Sequence, residues 1–255
     1  MAIGPSGNTG FTGLSRERTQ PTPVPLTGKY VEIYKRTRVI TQPVNEPITL
    51  DELKAHLRIT TNDENTYLTG LIQAARVHIE EYLRRKLITQ TIRMTLDQWP
   101  FFDFPVWEGQ VEAPFTALVP EAALKLWFPP LQSVSQVQIT FRDGTTTIYA
   151  SSNYLVDNST PDDYGRITLK VDATIVTNLQ EINAVEIDYV AGYGVNGSDV
   201  PFAIRQALLN YAAWMYQNRG DCSDGKVSYI RGETPLDVSG AAGYLVPYRI
   251  ERLQN

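Results

Sequence analysis

The spacing of apolar residues changes twice along this chain, and that double switch limits its possible folds more than any other feature. From residue 48 to residue 86 the spacing is helical. Thr49 and Glu52 form the capping pattern T-x-x-E, and Leu50, Leu53 and Leu57 follow on one face. A second, longer helix, capped by Asn62 or Asp63, carries Leu68, Leu71, Ile72, Ala75, Ile79 and Leu83 as its stripe. Glu80–Arg84 and Glu81–Arg85 stand four apart in the favourable order, and Arg84, Arg85 and Lys86 suit the last turn. From Leu87 the period becomes two. "ITQTIRMTLDQW", "ALKLWF", a hairpin turning at Asp143–Gly144, "NYLVDN", "GRITLK" and "AVEIDYVAG" read as strands. The helical period returns at Pro201, with Ile204, Leu208, Tyr211, Ala212 and Met215 on the buried side.

Helices at both ends of such a run, each with one apolar stripe, are expected to pack on one another. The expected class is α+β: a helical bundle formed by N- and C-terminal helices, with an inserted antiparallel β-rich segment. The expected boundaries are an extended arm over 1–46, the first bundle part over 47–86, the β-rich insertion over 87–200, the last helix over 201–220 and a docking tail over 221–255. Residues 103–122 fit neither period and read as a long loop.

Composition excludes several classes. Nothing approaches the roughly 20 apolar residues of a membrane span, so no membrane partner is expected. The first twenty residues lack the apolar core of a secretory signal. Cys222 is the single cysteine, too few for a disulfide framework or a cysteine zinc site. These features suit assembly in a cytoplasm. Charge is uneven: residues 1–46 hold six Lys/Arg against three Asp/Glu, and residues 87–200 hold five against fourteen. An acidic middle disfavours gripping phosphates. The arm is rich in Gly, Ser, Thr and Pro up to residue 28 and then turns strand-like in "KYVEIYKRTRVI", which is suited to adding onto a neighbour's sheet.

Two glycine patterns imitate nucleotide sites. Gly192, Gly194 and Gly197 spell G-x-G-x-x-G between a strand and a helix. A dinucleotide fold needs that fingerprint in its first βαβ unit, whereas here it comes after all the strands and four residues before Pro201. Gly192, Gly194 and Pro201 are therefore read as a sharp strand-to-helix turn that uses positive φ. "GDCSDGK" at 220–226 follows a helix, lacks Ser/Thr after the lysine and carries Asp221 and Asp224, so it reads as a helix end and turn. His56 and His78, on separate helices, have no partner pattern for catalysis. "DNSTPDD" at 157–163 lacks the glycine and the glutamate of a calcium loop. No catalytic set, cofactor or metal site is expected.

The ordered fragments "PITLDELKAHLRIT", "DENTYLTGLIQAARVHIEEYLRRKLITQTIRMTLDQWP", "FPPLQSVSQVQI", "YLVDNS", "GRITL", "VEIDYVAGYG", "VPFAIRQALLNYAAWMYQNRG" and "GYLVPYR" resemble the head–tail connector (adaptor) proteins of tailed bacteriophages. The resemblance spans about residues 47–249 and leaves out the arm, the 103–122 loop and the end of the tail. It implies a non-catalytic ring, typically of twelve subunits, beneath the portal at the head–tail junction of the virion. Such a ring joins capsid to tail and lets DNA pass without sequence-specific binding. The alternative is another virion structural protein, a tail-completion or tail-tube component. The resemblance also implies that the C-terminal part meets the portal protein. The candidate docking residues there are the aromatic–aliphatic cluster Tyr244, Leu245, Val246, Pro247 and Tyr248, with Arg249. Tyr30, Val31, Ile33 and Tyr34 of the arm are expected to contact a neighbouring subunit or a tail or head-completion protein.

Overall fold

The structure is a computed structural model. It describes residues 35–99, 123–170, 172–174, 176, 178–219 and 234–250. The order of elements begins with a strand, β1 (Lys35–Thr41), followed by α1 (Leu50–Leu57) and α2 (Asn65–Leu83). Then come β2 (Gln90–Leu96), β3 (Leu124–Leu126), β4 (Leu131–Thr140), β5 (Thr146–Ile148), β6 (Tyr154–Asp157), β7 (Gly165–Leu169) and β8 (Val185–Ala191). α3 (Phe202–Gln217), α4 (Pro235–Val238) and α5 (Ala242–Leu245) follow.

The α1 cap forms as its residues dictate. The Glu52 amide donates to Thr49 Oγ1 at 3.2 Å, and the Thr49 amide donates to Glu52 Oε2 at 2.7 Å. This satisfies two donors that a helix start leaves orphaned. α2 is different. Its N-cap is Glu64, not Asn62 or Asp63, and no side chain caps it. Asn62 is engaged elsewhere: its Oδ1 accepts from Lys54 Nζ at 2.7 Å, tying the α1–α2 turn together.

Helices from either side of the β2–β8 run enter one apolar core. Leu53 of α1, Leu71 and Ile79 of α2, and Ile204 and Leu208 of α3 share it with Leu236, Ala241 and Leu245 from α4, α5 and the turn between them. A second core lies between two sheets. The larger sheet has the order β1-β2-β8-β4-β5, and the smaller β3-β7-β6; every ladder is antiparallel. Ile92, Met94, Leu96, Val185, Ile187, Tyr189, Val137 and Ile139 point inward from the large sheet, and Leu124, Leu126, Tyr154 and Ile167 close the core from the small one. Strict alternation in β2 produces this: residues 90, 92, 94 and 96 are buried, and the residues between them are half-buried on the other face.

One correction concerns the N-terminal side. The β-rich part is not confined to 87–200, because β1 precedes the helices and pairs with β2, from Lys35↔Leu96 to Thr41↔Thr91. The described part of the strand-like run joins its own sheet, as an edge strand. The expectations for 103–122 and for 220–226 lie outside the described residues.

Candidate docking surfaces

The parts of the molecule meet at the turn from α2 into β2. Glu80, only 1% exposed, does not pair with Arg84, and Arg85 does not pair with Glu81. Arg84 adopts the left-handed conformation (φ 56°) and ends the helix, which turns the next residues inward. The Glu80 carboxylate then accepts from Lys86 Nζ, the Leu87 amide and Gln90 Nε2, each at 3.0 Å. Arg76 stands one turn back and donates to Glu46 at 2.7 Å. A carboxylate removed from water survives because cations and donors surround it. Arg85 is equally enclosed, and its guanidinium donates to the carbonyls of Tyr248 (2.6 Å), Pro161 (2.8 Å) and Asp162 (2.6 Å). One side chain thus joins the helices, the small sheet's loop and the C-terminal segment.

The glycine turn packs against this same crossing. The Thr89 amide donates to Gly194 O at 2.9 Å, and the Tyr193 amide to Leu87 O at 3.1 Å. Of the three glycines only Gly192 has positive φ, at 132°. Gly194 and Gly197 are needed for proximity instead: a Cβ would lie 2.2 Å from Asp199 Oδ2 at the first and 2.5 Å from the Pro47 carbonyl at the second. Pro201 stands at the N-cap of α3, one place before the first helical residue. The turn packs chain against chain.

The C-terminal cluster divides. Leu245 is fully buried in the helical core and leaves the docking set. Tyr248 is half-buried against that core, and Arg249 lies over the Tyr82 ring at 4.9 Å. The Ile250 amide donates to Leu83 O at 3.2 Å, so the segment is fastened to the end of α2. Tyr244, Val246 and Pro247 remain exposed. Tyr30, Val31, Ile33 and Tyr34 lie outside the described residues.

Sequence reasoning missed a second exposed apolar group. Val44 is 90% exposed, Phe202 75% and Val195 55%. Asn45 Nδ2 donates to Val195 O at 3.1 Å, and Arg205 Nε to Pro47 O at 3.1 Å, so these loops and the start of α3 are held together. The clue was available: Phe202 is out of phase with the Ile204–Leu208–Tyr211 stripe.

Across the open face of the large sheet runs a charged row. Arg93 of β2 donates to Asp188 Oδ1 (2.6 Å) and Oδ2 (2.8 Å) and to Glu186 (2.7 Å) on β8, and Gln136 of β4 adds a bond to Asp188 at 2.9 Å. Burial alone would raise the Asp188 pKa. The bonds from Arg93 and Gln136, with the charges of Arg93 and Arg38, overcome this and hold it below the usual range. At the small sheet, Asp157 accepts from Ser159 and Arg166 and is lowered to about 2 by those bonds, the one from the Ser159 hydroxyl first. Ser159 and Arg166 together organise the start of its loop. Among the described residues no group of His, Cys, Asp and Glu is placed to hold a metal ion. His78 packs its ring 5.1 Å from that of Tyr211.

A sequence model of the family described as phage gp6-like head-tail connector protein matches residues 47–119. The match takes in α1, α2, the Glu80 crossing and β2, so the connector resemblance rests on that segment as well as on the scattered fragments. No curated protein matches. Solved structures match over a longer stretch. A chain in the neck of an empty gene transfer agent (GTA) particle, computed with C6 symmetry, is 21% identical. It covers 86% of this chain and 98% of its own length, with a TM-score of 0.63. A chain in the neck of the native particle, computed with C12 symmetry, is 20% identical, covers 86% of this chain and 98% of its own, and has a TM-score of 0.61. At that identity the likeness is one of fold.

Proposed function

We propose that this protein is a structural head–tail connector subunit of a virion. It forms a ring at the junction, joins capsid to tail and lets DNA through without reading its sequence. The carrying observation is that the connector-family segment, 47–119, lies within a fold shared over 86% of the chain with chains of particle necks. A helical core drawn from either side of the β2–β8 run, together with the sheets, supplies the unlike lateral surfaces that a closed ring of heterologous contacts requires. The ring number is twelve on this reading, in keeping with the C12 symmetry used for one neck. The role needs no cofactor, metal or catalytic group.

Portal docking falls to Tyr244, Val246, Pro247 and Arg249, and the arm residues Tyr30, Val31, Ile33 and Tyr34 serve a neighbour or a tail protein. Deleting 240–255 is a poor test of docking, since it would strip Ala241, Ala242 and Leu245 from the core. Tyr244→Ala with Val246→Asp is the sharper variant: it should leave the fold intact and abolish portal binding in a pull-down. The wider reading is tested by inactivating the gene in the phage. DNA-filled heads without tails, rescued by the wild-type chain, are expected; complete particles would refute it.

A further inference from the structure

We infer that neighbouring copies join by sheet extension, the β5 edge of one copy pairing with the β1 edge of the next. The inference rests on the ring reading and adds the contact that closes the ring.

β1 and β5 are the two ends of one five-stranded sheet, and among the described residues neither has a strand on its outer side. A head-to-tail contact needs two unlike surfaces at opposite ends of the subunit, and these edges are such a pair. Natural edge strands are normally blunted by charge, proline or a cover, because their free amides and carbonyls recruit other strands. β5, "TTI", has none of these in the strand itself: Thr146, Thr147 and Ile148 are all exposed, β-favouring and uncharged. β1 does carry charge, Lys35, Arg36 and Arg38 with no acidic residue; the turn leading into β5 presents Asp143, and its neighbour Arg142 pairs with Glu181.

The side chains agree in facing. Ile148 is opposite Gln138, which is opposite Glu186, on the face of the Arg93 row. Arg38 is opposite Arg93 on that same face, and a bulge after Val39 makes Ile40 the extra residue before Thr41, which is opposite Thr91 on that face. The two isoleucines, 45% and 65% exposed, thus stand at opposite edges of the sheet, Ile40 at the bulge of β1 and Ile148 at the end of β5. Pairing the edges sets Ile40 of one copy beside Ile148 of the next, an apolar cross-strand contact of the kind that stabilises sheets. Four successive antiparallel ladders make β1 and β5 run in the same direction, so copies related by a small rotation meet in parallel.

Disulfide trapping in assembled particles tests this. The chain carries Ile40→Cys and Ile148→Cys, with Cys222→Ser. Four strand spacings, about 19 Å, separate the two positions within one chain, so no internal disulfide can close. Mild oxidation should give a ladder of covalent multimers with the double variant, and at most dimers with either single variant. Particles that contain the chain without a ladder overturn the edge pairing and leave the ring reading standing. Particles that lack the chain altogether overturn both. A second variant guards against misfolding. Amides 141 and 149 bond into the β4–β5 ladder, so the Thr146 amide points outward. Thr146→Pro removes that donor and should keep the wild-type melting temperature while lowering incorporation into particles at least tenfold. Unchanged incorporation contradicts the proposal.

Discussion

The helical core and the large sheet close themselves in different ways. The helical core draws on both sides of the chain, and α5 and Leu245 complete it from the C-terminal end. The large sheet covers one face with the small sheet, lines its other face with the Arg93–Asp188–Glu186 row, and leaves both edges bare among the described residues. One region closes on itself, and the other ends at both rims in strands with no described strand beyond them. Substitutions in the first should therefore act on stability, and those at the rim of the second on assembly.

The largest effect is expected at the crossing between them. Glu80→Ala would leave Lys86 buried without its carboxylate and strip acceptors from Leu87 and Gln90. A loss of about 3–5 kcal/mol in urea unfolding is expected, as for breaking a buried ion pair. A loss below about 1 kcal/mol would mean that the crossing is wetter than its geometry implies. Gly197→Ala comes next, since its Cβ would meet the Pro47 carbonyl at 2.5 Å. We expect a cost of about 1–3 kcal/mol, seen as a lower melting temperature. Wild-type stability there would show that the 44–47 loop yields.

Acid should separate the regions further. Asp188 is depressed in the folded state, so its contribution is full above the ordinary carboxylate value of 3.8 and fades as pH falls through the lower folded value. Asp188→Asn should therefore lower stability at pH 7 and weaken the loss of stability with acid below pH 4, measured by denaturant titration at several pH values. An unchanged acid limb would remove the row from the account. The smallest effect on stability belongs to Ile148→Ala, within about ±0.5 kcal/mol as for an open surface site. A large loss there would mean that the β5 edge is internally packed, which would erase the contrast between the regions.

Much of the fold was legible because its signals are local. The Thr49–Glu52 cap, the α2 stripe and the alternation of β2 each lie within a few residues. What escaped depended on distant partners. Nothing near "KRTRVIT" announces that its partner is "QTIRMTL", with two helices between them. Glu80 had a well-placed partner in Arg84, and the left-handed turn at Arg84 removed it in favour of Lys86 and Gln90. Leu245 looked like a docking residue because its hydrophobicity is the same whether it faces a portal or its own core. The glycines were read as a turn with positive φ, which holds for Gly192 alone; Gly194 and Gly197 are small because Asp199 and the Pro47 carbonyl approach them, a matter of packing.

The central claim is that this chain is the ring at the head–tail junction, and the most direct measurement is a cryo-EM reconstruction of the neck of the particle that carries it. The account predicts a closed ring of this chain directly beneath the portal, with the helical and sheet parts both in density and DNA or an open channel on the axis. A neck without the chain, or the chain stacked repeatedly along the tail, would contradict it.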